Sequence, residues 1–229
     1  MFSVIIPTMW RYEPFINILE NLLQVDSVDE VIIINNDVSK TPSSDTLKHS
    51  KIIMHNSASN LYVNPSWNLG TQLAKNSKLC FFSDDIDVDL KVFDKINNFM
   101  NDGIGMIGIL SPYNKDPSYE KFLTDGSIDI VAATEPNADK RPPPIGIGNL
   151  FFLNKKDWKP IPEEIKIFHG EFLQWNRLAS FKRNYIITNC RIETPSHVTW
   201  RALANEMPSE FDKIQKSDQS ICESKSFLM

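Results

Sequence analysis

The chain has 229 residues and a formal net charge of -5, enough length for one substantial core with a small appendage and hence for one domain. The mild acidic excess, with no long Lys/Arg cluster, argues against a nucleic-acid partner and against a disordered acidic protein. Cys80, Cys190 and Cys222 are odd in number and widely spaced, so a disulfide framework or zinc site is not expected and a reducing cytoplasmic setting is.

The N-terminus, Met-Phe-Ser-Val-Ile-Ile-Pro, lacks a basic leader and turns at once into a strand, Ser3 to Ile6, ended by Pro7-Thr8. No apolar run reaches the roughly 18 residues that a membrane span needs, so no transmembrane segment is expected. Pro14 opens a helix whose apolar face is Phe15, Ile16, Leu19, Leu22 and Leu23. Val31 to Ile34 is a β-branched run suited to a parallel strand covered on both faces, and it ends in Asn35-Asn36-Asp37. Lys51 to Met54 is a weaker strand. A helix from Asn64-Pro65 carries Trp67, Leu69, Leu73 and Ala74, and the strand Leu79 to Phe82 follows.

Such strand-helix alternation over residues 1–110 predicts an α/β fold with a mostly parallel, doubly wound sheet, and ligands in these sheets bind beyond the carboxyl ends of the strands. Thr8, Asn35 to Asp37 and Ser83 to Asp87 then converge on one crevice. No Gly-x-Gly-x-x-Gly accompanies these turns, so a dinucleotide cradle is not supported.

The stretch Leu79 to Asp89 carries the strongest chemical signal. Four carboxylates, Asp84, Asp85, Asp87 and Asp89, follow Ser83 within six residues. Like charges held together need a positive partner, and oxygen-only ligands favour Mg²⁺ or Mn²⁺ with positions open to substrate phosphates. Asp89 also suits an N-cap, since Leu90, Phe93, Ile96 and Phe99 follow at helical spacing. A calcium loop does not fit, because Leu90 and Ile96 stand where Gly and Glu are required.

Downstream, Met106 to Leu110, Ile128 to Ala132, Asn149 to Leu153, Tyr185 to Thr188 and Arg191 to Glu193 read as strands, and Glu171 to Ser180 as a helix. Residues 134–148 form a long loop of the kind that serves as a lid or acceptor-binding segment. Trp200 to Asn205 suggests a short helix. Residues 206–229 are a polar C-terminal tail, weakly ordered or acting as a packing arm.

In order and spacing these motifs resemble a GT-A glycosyltransferase of the family-2 type, from Ser3 to about His197. The resemblance rests on Ser3-Val4-Ile5-Ile6-Pro7-Thr8 with Arg11, on Glu30 to Asp37, on Asn68-Leu69-Gly70 with Ala74, and on Phe81-Phe82-Ser83-Asp84-Asp85. It implies a single GT-A domain over 1–205, with a nucleotide-binding half (1–110) and an acceptor-side half (111–205). It further implies that Thr8, Arg11, Asn36, Asp37, Asn68 and Asp84 bind the nucleotide, and that Asp85, Asp87 and His197 hold Mn²⁺ or Mg²⁺. Ser83 stands where the family's first Asp often lies, so the metal frame is either Asp84/Asp85 or Asp85/Asp87. His169-Gly170-Glu171-Phe172 matches the family's acidic motif before a helix, making Glu171 the general base.

The implied activity moves a hexosyl or deoxyhexosyl group from a nucleotide-diphosphate donor, a UDP-sugar, to a hydroxyl of a glycan or glycoprotein acceptor, with inversion. The compact length resembles virus- or phage-encoded members of the family, for which the setting would be the host cytoplasm. Two other classes stay open. Asp85-Ile86-Asp87-Val88 matches the nucleophile motif of haloacid dehalogenase-type phosphatases, although that motif normally sits on a first strand. A non-catalytic nucleotide- or glycan-binding module is the other.

Overall fold

The computed structural model describes residues 1–109, 128–133, 147–194 and 204–226. His197 and most of the expected lid, residues 134–146, lie outside them. The elements in chain order are β1 (Phe2–Thr8), α1 (Phe15–Leu23), β2 (Val28–Asn35), β3 (Ile52–Asn56), α2 (Val63–Leu73), β4 (Lys78–Phe82), β5 (Asp87–Val88) and α3 (Lys91–Phe99). Then come β6 (Ile104–Ile109), β7 (Asp129–Ala132), β8 (Leu150–Asn154), α4 (Gly170–Ala179), β9 (Arg183–Thr188), β10 (Ile192–Glu193) and α5 (Pro208–Ser226).

Eight strands form one sheet in the order β3-β2-β1-β4-β8-β6-β9-β7. The first four are mutually parallel, as the alternating pattern predicts. β8 lies antiparallel between β4 and β6, and β7 antiparallel on β9. The sheet is thus mostly parallel, with a mixed half contributed by the later chain. A separate two-stranded ribbon joins β5 to β10.

Period-two alternation explains why these strands read as unbroken apolar runs: both faces are covered. Val4, Ile6, Val31, Ile33, Cys80, Phe82, Leu150 and Phe152 face α1 and α3, where Leu19, Leu22, Phe93 and Ile96 complete the core. Their neighbours Ile5, Ile32, Ile34, Leu79, Phe81, Phe151 and Leu153 face the other way, against Trp67 of α2 and Leu173, Trp175 and Leu178 of α4. Phe81 stacks on Phe151 at 4.5 Å and on Trp158 at 4.6 Å between centroids, so an aromatic pile backs the strand that leads into the carboxylate turn.

The segment expected as a polar tail is the 19-residue helix α5. Its inward stripe is Phe211, Ile214, Asp218, Ile221 and Cys222, all at least partly buried. An Asp at the middle of that stripe is why its composition reads as solvated chain rather than as a packed helix.

Candidate active site

Parallel pairing aligns the strand ends: Thr8 stands opposite Asn35, and Asn35 opposite Asn56. Beyond this edge lies a cavity lined by Thr8, Met9, Arg11, Asn36, Asn60, Tyr62, Trp67, Asp84, Asp85, Asn149 and Ile167, among others. Of the residues singled out from sequence, Thr8, Arg11, Asn36, Asp84 and Asp85 meet here.

The floor is a carboxylate pair. Asp84 and Asp85 are both buried, and Thr8 Oγ1 donates to Asp84 Oδ2 at 2.6 Å, with the backbone N–H of Met9 donating to the same carboxylate. Burial, and secondly the charge of Asp85, push the Asp84 carboxyl up to about 7 against those bonds. Trp10 N in turn donates to Thr8 Oγ1 at 2.9 Å, and Trp10 has φ 56°, a left-handed conformation that costs a bulky residue energy and is held by this contact set. Two adjacent carboxylates with oxygen-only donors suit a hard divalent ion whose remaining positions go to water or phosphate. Among the described residues no third His, Cys, Asp or Glu joins them.

Arg11 brings positive charge to the rim. Both its terminal nitrogens donate to Glu206, at 2.8 Å each. That pairing, together with Asp37 and Asp84 nearby, raises the guanidinium pKa against the opposing effect of burial.

Other expected residues have different tasks. The Asn36 amide is committed within the wall, its Nδ2 donating to Ser66 Oγ at 3.1 Å and its Oδ1 accepting from Leu61 N at 3.0 Å. Asp37 accepts from Ser39 and pairs with Lys40, which together lower its pKa. Asn68 clamps Ile161, accepting from its N–H at 2.9 Å and donating to its carbonyl at 2.7 Å. Neither Asp37 nor Asn68 lines the cavity. Asp87 sits on β5 outside the cavity, in a bidentate pair with Arg191 at 3.0 and 3.1 Å. Asp89 Oδ1 accepts from Lys91 N at 3.0 Å, a capping bond at the start of α3.

Glu171 lies in the first turn of α4. A Cβ on Gly148 would come within 3.1 Å of Glu171 Oε1, so the carboxylate stands beside the residue that precedes Asn149 in the cavity wall. Asn149 O accepts from Ser83 N at 2.9 Å, which joins this wall to the carboxylate turn. Burial pushes the Glu171 carboxyl up to about 7, against a backbone hydrogen bond that favours the charged form. At neutral pH it is therefore near half ionised, the condition that suits a group exchanging protons with a hydroxyl.

Asn60, Tyr62, Trp67, Asn149 and Ile167 were not singled out from sequence. Asn60 and Tyr62 belong to the loop between β3 and α2, at the carboxyl edge of the sheet where ligands are expected, and position alone could have flagged them. Glu206, and Glu210, which accepts from Tyr62 Oη at 2.7 Å, carried no such signal.

No known family's sequence profile matches the chain, and no curated protein sequence does. Solved structures do. Residues 1–349 of S. aureus TarS superpose with TM-score 0.58 at 15% identity, over 89% of this chain and 63% of that one. The same protein in complex with UDP gives TM-score 0.56 at 15% identity over 81% and 57%. The mannosyltransferase PcManGT from Pyrobaculum calidifontis, in complex with GDP-Man and Mn²⁺, gives 0.56 at 14% identity over 80% and 53%. The chain thus spans less than two thirds of the length of each of these structures. What the likeness establishes is architecture: the chain has a GT-A-like α/β fold, its cavity at the carboxyl edge of the parallel strands.

Proposed function

We propose that the protein is a metal-dependent glycosyltransferase that moves a sugar from a UDP-sugar to a hydroxyl of a glycan or glycoprotein. The observation that carries this reading is the convergence of Thr8, Arg11 and the Asp84-Asp85 pair on one cavity at the strand ends. Its support from comparison is that structures of the same fold were solved with UDP, with UDP-GlcNAc and with GDP-Man and Mn²⁺.

Asp84 and Asp85 would hold Mn²⁺ or Mg²⁺. Such an ion, when bound, offsets charge on the diphosphate leaving group. The rest falls to the chain itself. Arg11 lends the donor site its positive charge, its terminal nitrogens being held by Glu206. Tyr62, Trp67 and Met9 give the nucleoside an apolar wall, and Thr8 fixes the orientation of Asp84. Glu171 takes the proton of the acceptor hydroxyl, on the side away from the departing nucleotide, which gives inversion.

A panel of UDP-, GDP- and TDP-sugars, each assayed for hydrolysis and transfer with Mn²⁺ and with EDTA, tests the reading. Sugar release dependent on Mn²⁺ and greatest for a UDP-sugar is expected. Phosphate release without a sugar acceptor, or nucleotide binding without turnover, would replace it with a phosphatase or a binding module.

A further inference from the structure

The fully buried Asp218 of α5 is 0% exposed and reaches no cation among the described residues. Its carboxylate instead accepts three consecutive backbone N–H groups of one loop: Lys166 N at 2.9 Å, Ile167 N at 2.8 Å and Phe168 N at 2.9 Å. A carboxylate gripping successive amides is a strong, charge-assisted clamp, and its removal leaves three part-buried donors without that partner.

This loop is also held from the opposite side. Lys166 O accepts from Asn64 N at 2.9 Å, and Phe168 O from Asn64 Nδ2 at 3.4 Å. Phe168 lies edge-on to Phe211 of α5 at 5.6 Å. The loop is therefore pinned between the first turn of α2 and the buried stripe of α5. Its middle residue, Ile167, lines the cavity. Its end runs into His169, which takes φ 67°, and then into Gly170, where any Cβ would overlap Asn64 Oδ1. Glu171 follows. The direction in which α4 starts, and with it the place of the Glu171 carboxylate beside Gly148, is set by a chain of contacts that begins at Asp218.

We propose that Asp218 is a positioning residue for glycosyl transfer, fixing the loop Lys166–Phe168 so that Glu171 faces the acceptor. The proposal rests on the reading of Glu171 as general base and of the cavity as the donor site. Asp218 does not line the cavity; it acts through Glu171.

The test is a double-mutant cycle on the full chain with UDP-sugar, Mn²⁺ and acceptor, using Asp218→Asn and Glu171→Gln. Asp218→Asn is expected to lower kcat about tenfold while donor KM changes by less than about threefold, because a displacement near 1 Å of a reacting group costs rate before it costs binding. In the Glu171→Gln background it is expected to have no further effect, since the group it positions is already gone. Asp218→Asn leaving kcat within about twofold, acting wholly through donor KM, or multiplying in full with Glu171→Gln would overturn the proposal. If circular dichroism shows Asp218→Asn unfolded, Asp218→Glu, which keeps the charge and shifts it by one methylene, takes its place in the same cycle. Failure of both to fold would show a role in folding and overturn the proposal. Wild-type protein inactive on every sugar nucleotide would overturn the functional reading with it, whereas an active wild type with an indifferent Asp218 sinks the positioning role alone.

Discussion

The two sides of the cavity are built in different ways. The strand-end side comes from neighbours in one parallel sheet: Thr8 closes β1, Asn36 follows β2, and Asp84-Asp85 follow β4. Each sits within a few residues of a largely buried strand, so its position is fixed by the sheet register. The opposite side is assembled across long stretches of chain. Arg11 meets Glu206, Tyr62 Oη donates to Glu210 at 2.7 Å, and the Lys166–Phe168 loop meets Asp218. Strand ends position a site by backbone geometry; the second side relies on individual side chains, each of which can be removed singly. Metal-dependent donor binding should therefore fail through the first side, and proton transfer through the Lys166–Phe168 loop of the second.

The largest effect is expected at Asp85. Asp85→Ala removes half of the buried carboxylate pair and should abolish Mn²⁺-dependent UDP binding, read by calorimetry, with transfer falling about a thousandfold or more. UDP binding unchanged in this variant would move the donor site elsewhere.

Glu171→Gln sharpens the contrast. It should spare UDP binding and lower transfer by about a hundredfold to a thousandfold, the usual worth of a general base. In the wild type, transfer should climb as pH rises through about 7, where the Glu171 carboxyl ionises. Stability should move the opposite way. A carboxyl held above its ordinary value binds its proton more tightly when folded, so folding is penalised progressively as pH rises from the unfolded value, about 4.5, to the folded value, about 7. Glu171→Gln should therefore be the more stable protein at pH 8, by an amount on the order of 3 kcal/mol, and about equal to wild type at pH 4. Thermal melts at the two pH values read this directly.

Gly170→Ala tests the second side by sterics rather than charge. Its Cβ would run into Asn64 Oδ1 and into Ile161 Cδ1, the latter at 2.8 Å. A loss of about 2 kcal/mol is expected, seen as a lower Tm, with kcat reduced more than donor affinity. A variant as stable and active as wild type would mean that the start of α4 is not held as described.

Sequence legibility follows the same division. The strand-end side was readable because each element announces itself locally: the apolar runs Val31 to Ile34 and Leu79 to Phe82 end in polar turns, and the α/β alternation says where those turns meet. The roles inside that side were less readable. Asn36 and Asn68 carry amides that sequence marks as ligand-binding, yet both are engaged with the backbone or side chains of their own fold, and nothing local distinguishes the two fates. The α5 side was nearly silent, because Asp218 lies 50 residues or more along the chain from the amides it clamps, and a buried Asp on a polar helix looks like one more surface carboxylate. Only tertiary packing turns the sparse stripe of Phe211, Ile214 and Ile221 into a docked helix.

The smallest effect concerns the register of the acidic turn. Two frames, Asp84/Asp85 and Asp85/Asp87, fit the sequence, and they place the second carboxylate on different sides of the backbone. Asp84 is buried against Thr8 on the cavity floor, whereas the Asp87 side chain is 51% exposed and shared with Arg191. An exposed pair of this kind contributes about 1 kcal/mol or less. Asp87→Asn should thus leave Mn²⁺-dependent UDP affinity within about twofold and Tm nearly unchanged, while Asp84→Asn reproduces most of the loss seen in Asp85→Ala. A large loss of affinity in Asp87→Asn would require the β5–β10 ribbon to turn when donor binds, releasing Asp87 from Arg191 toward the diphosphate. Arg191→Ala, by freeing Asp87 in advance, should then tighten binding; under the Asp84/Asp85 frame it should do nothing.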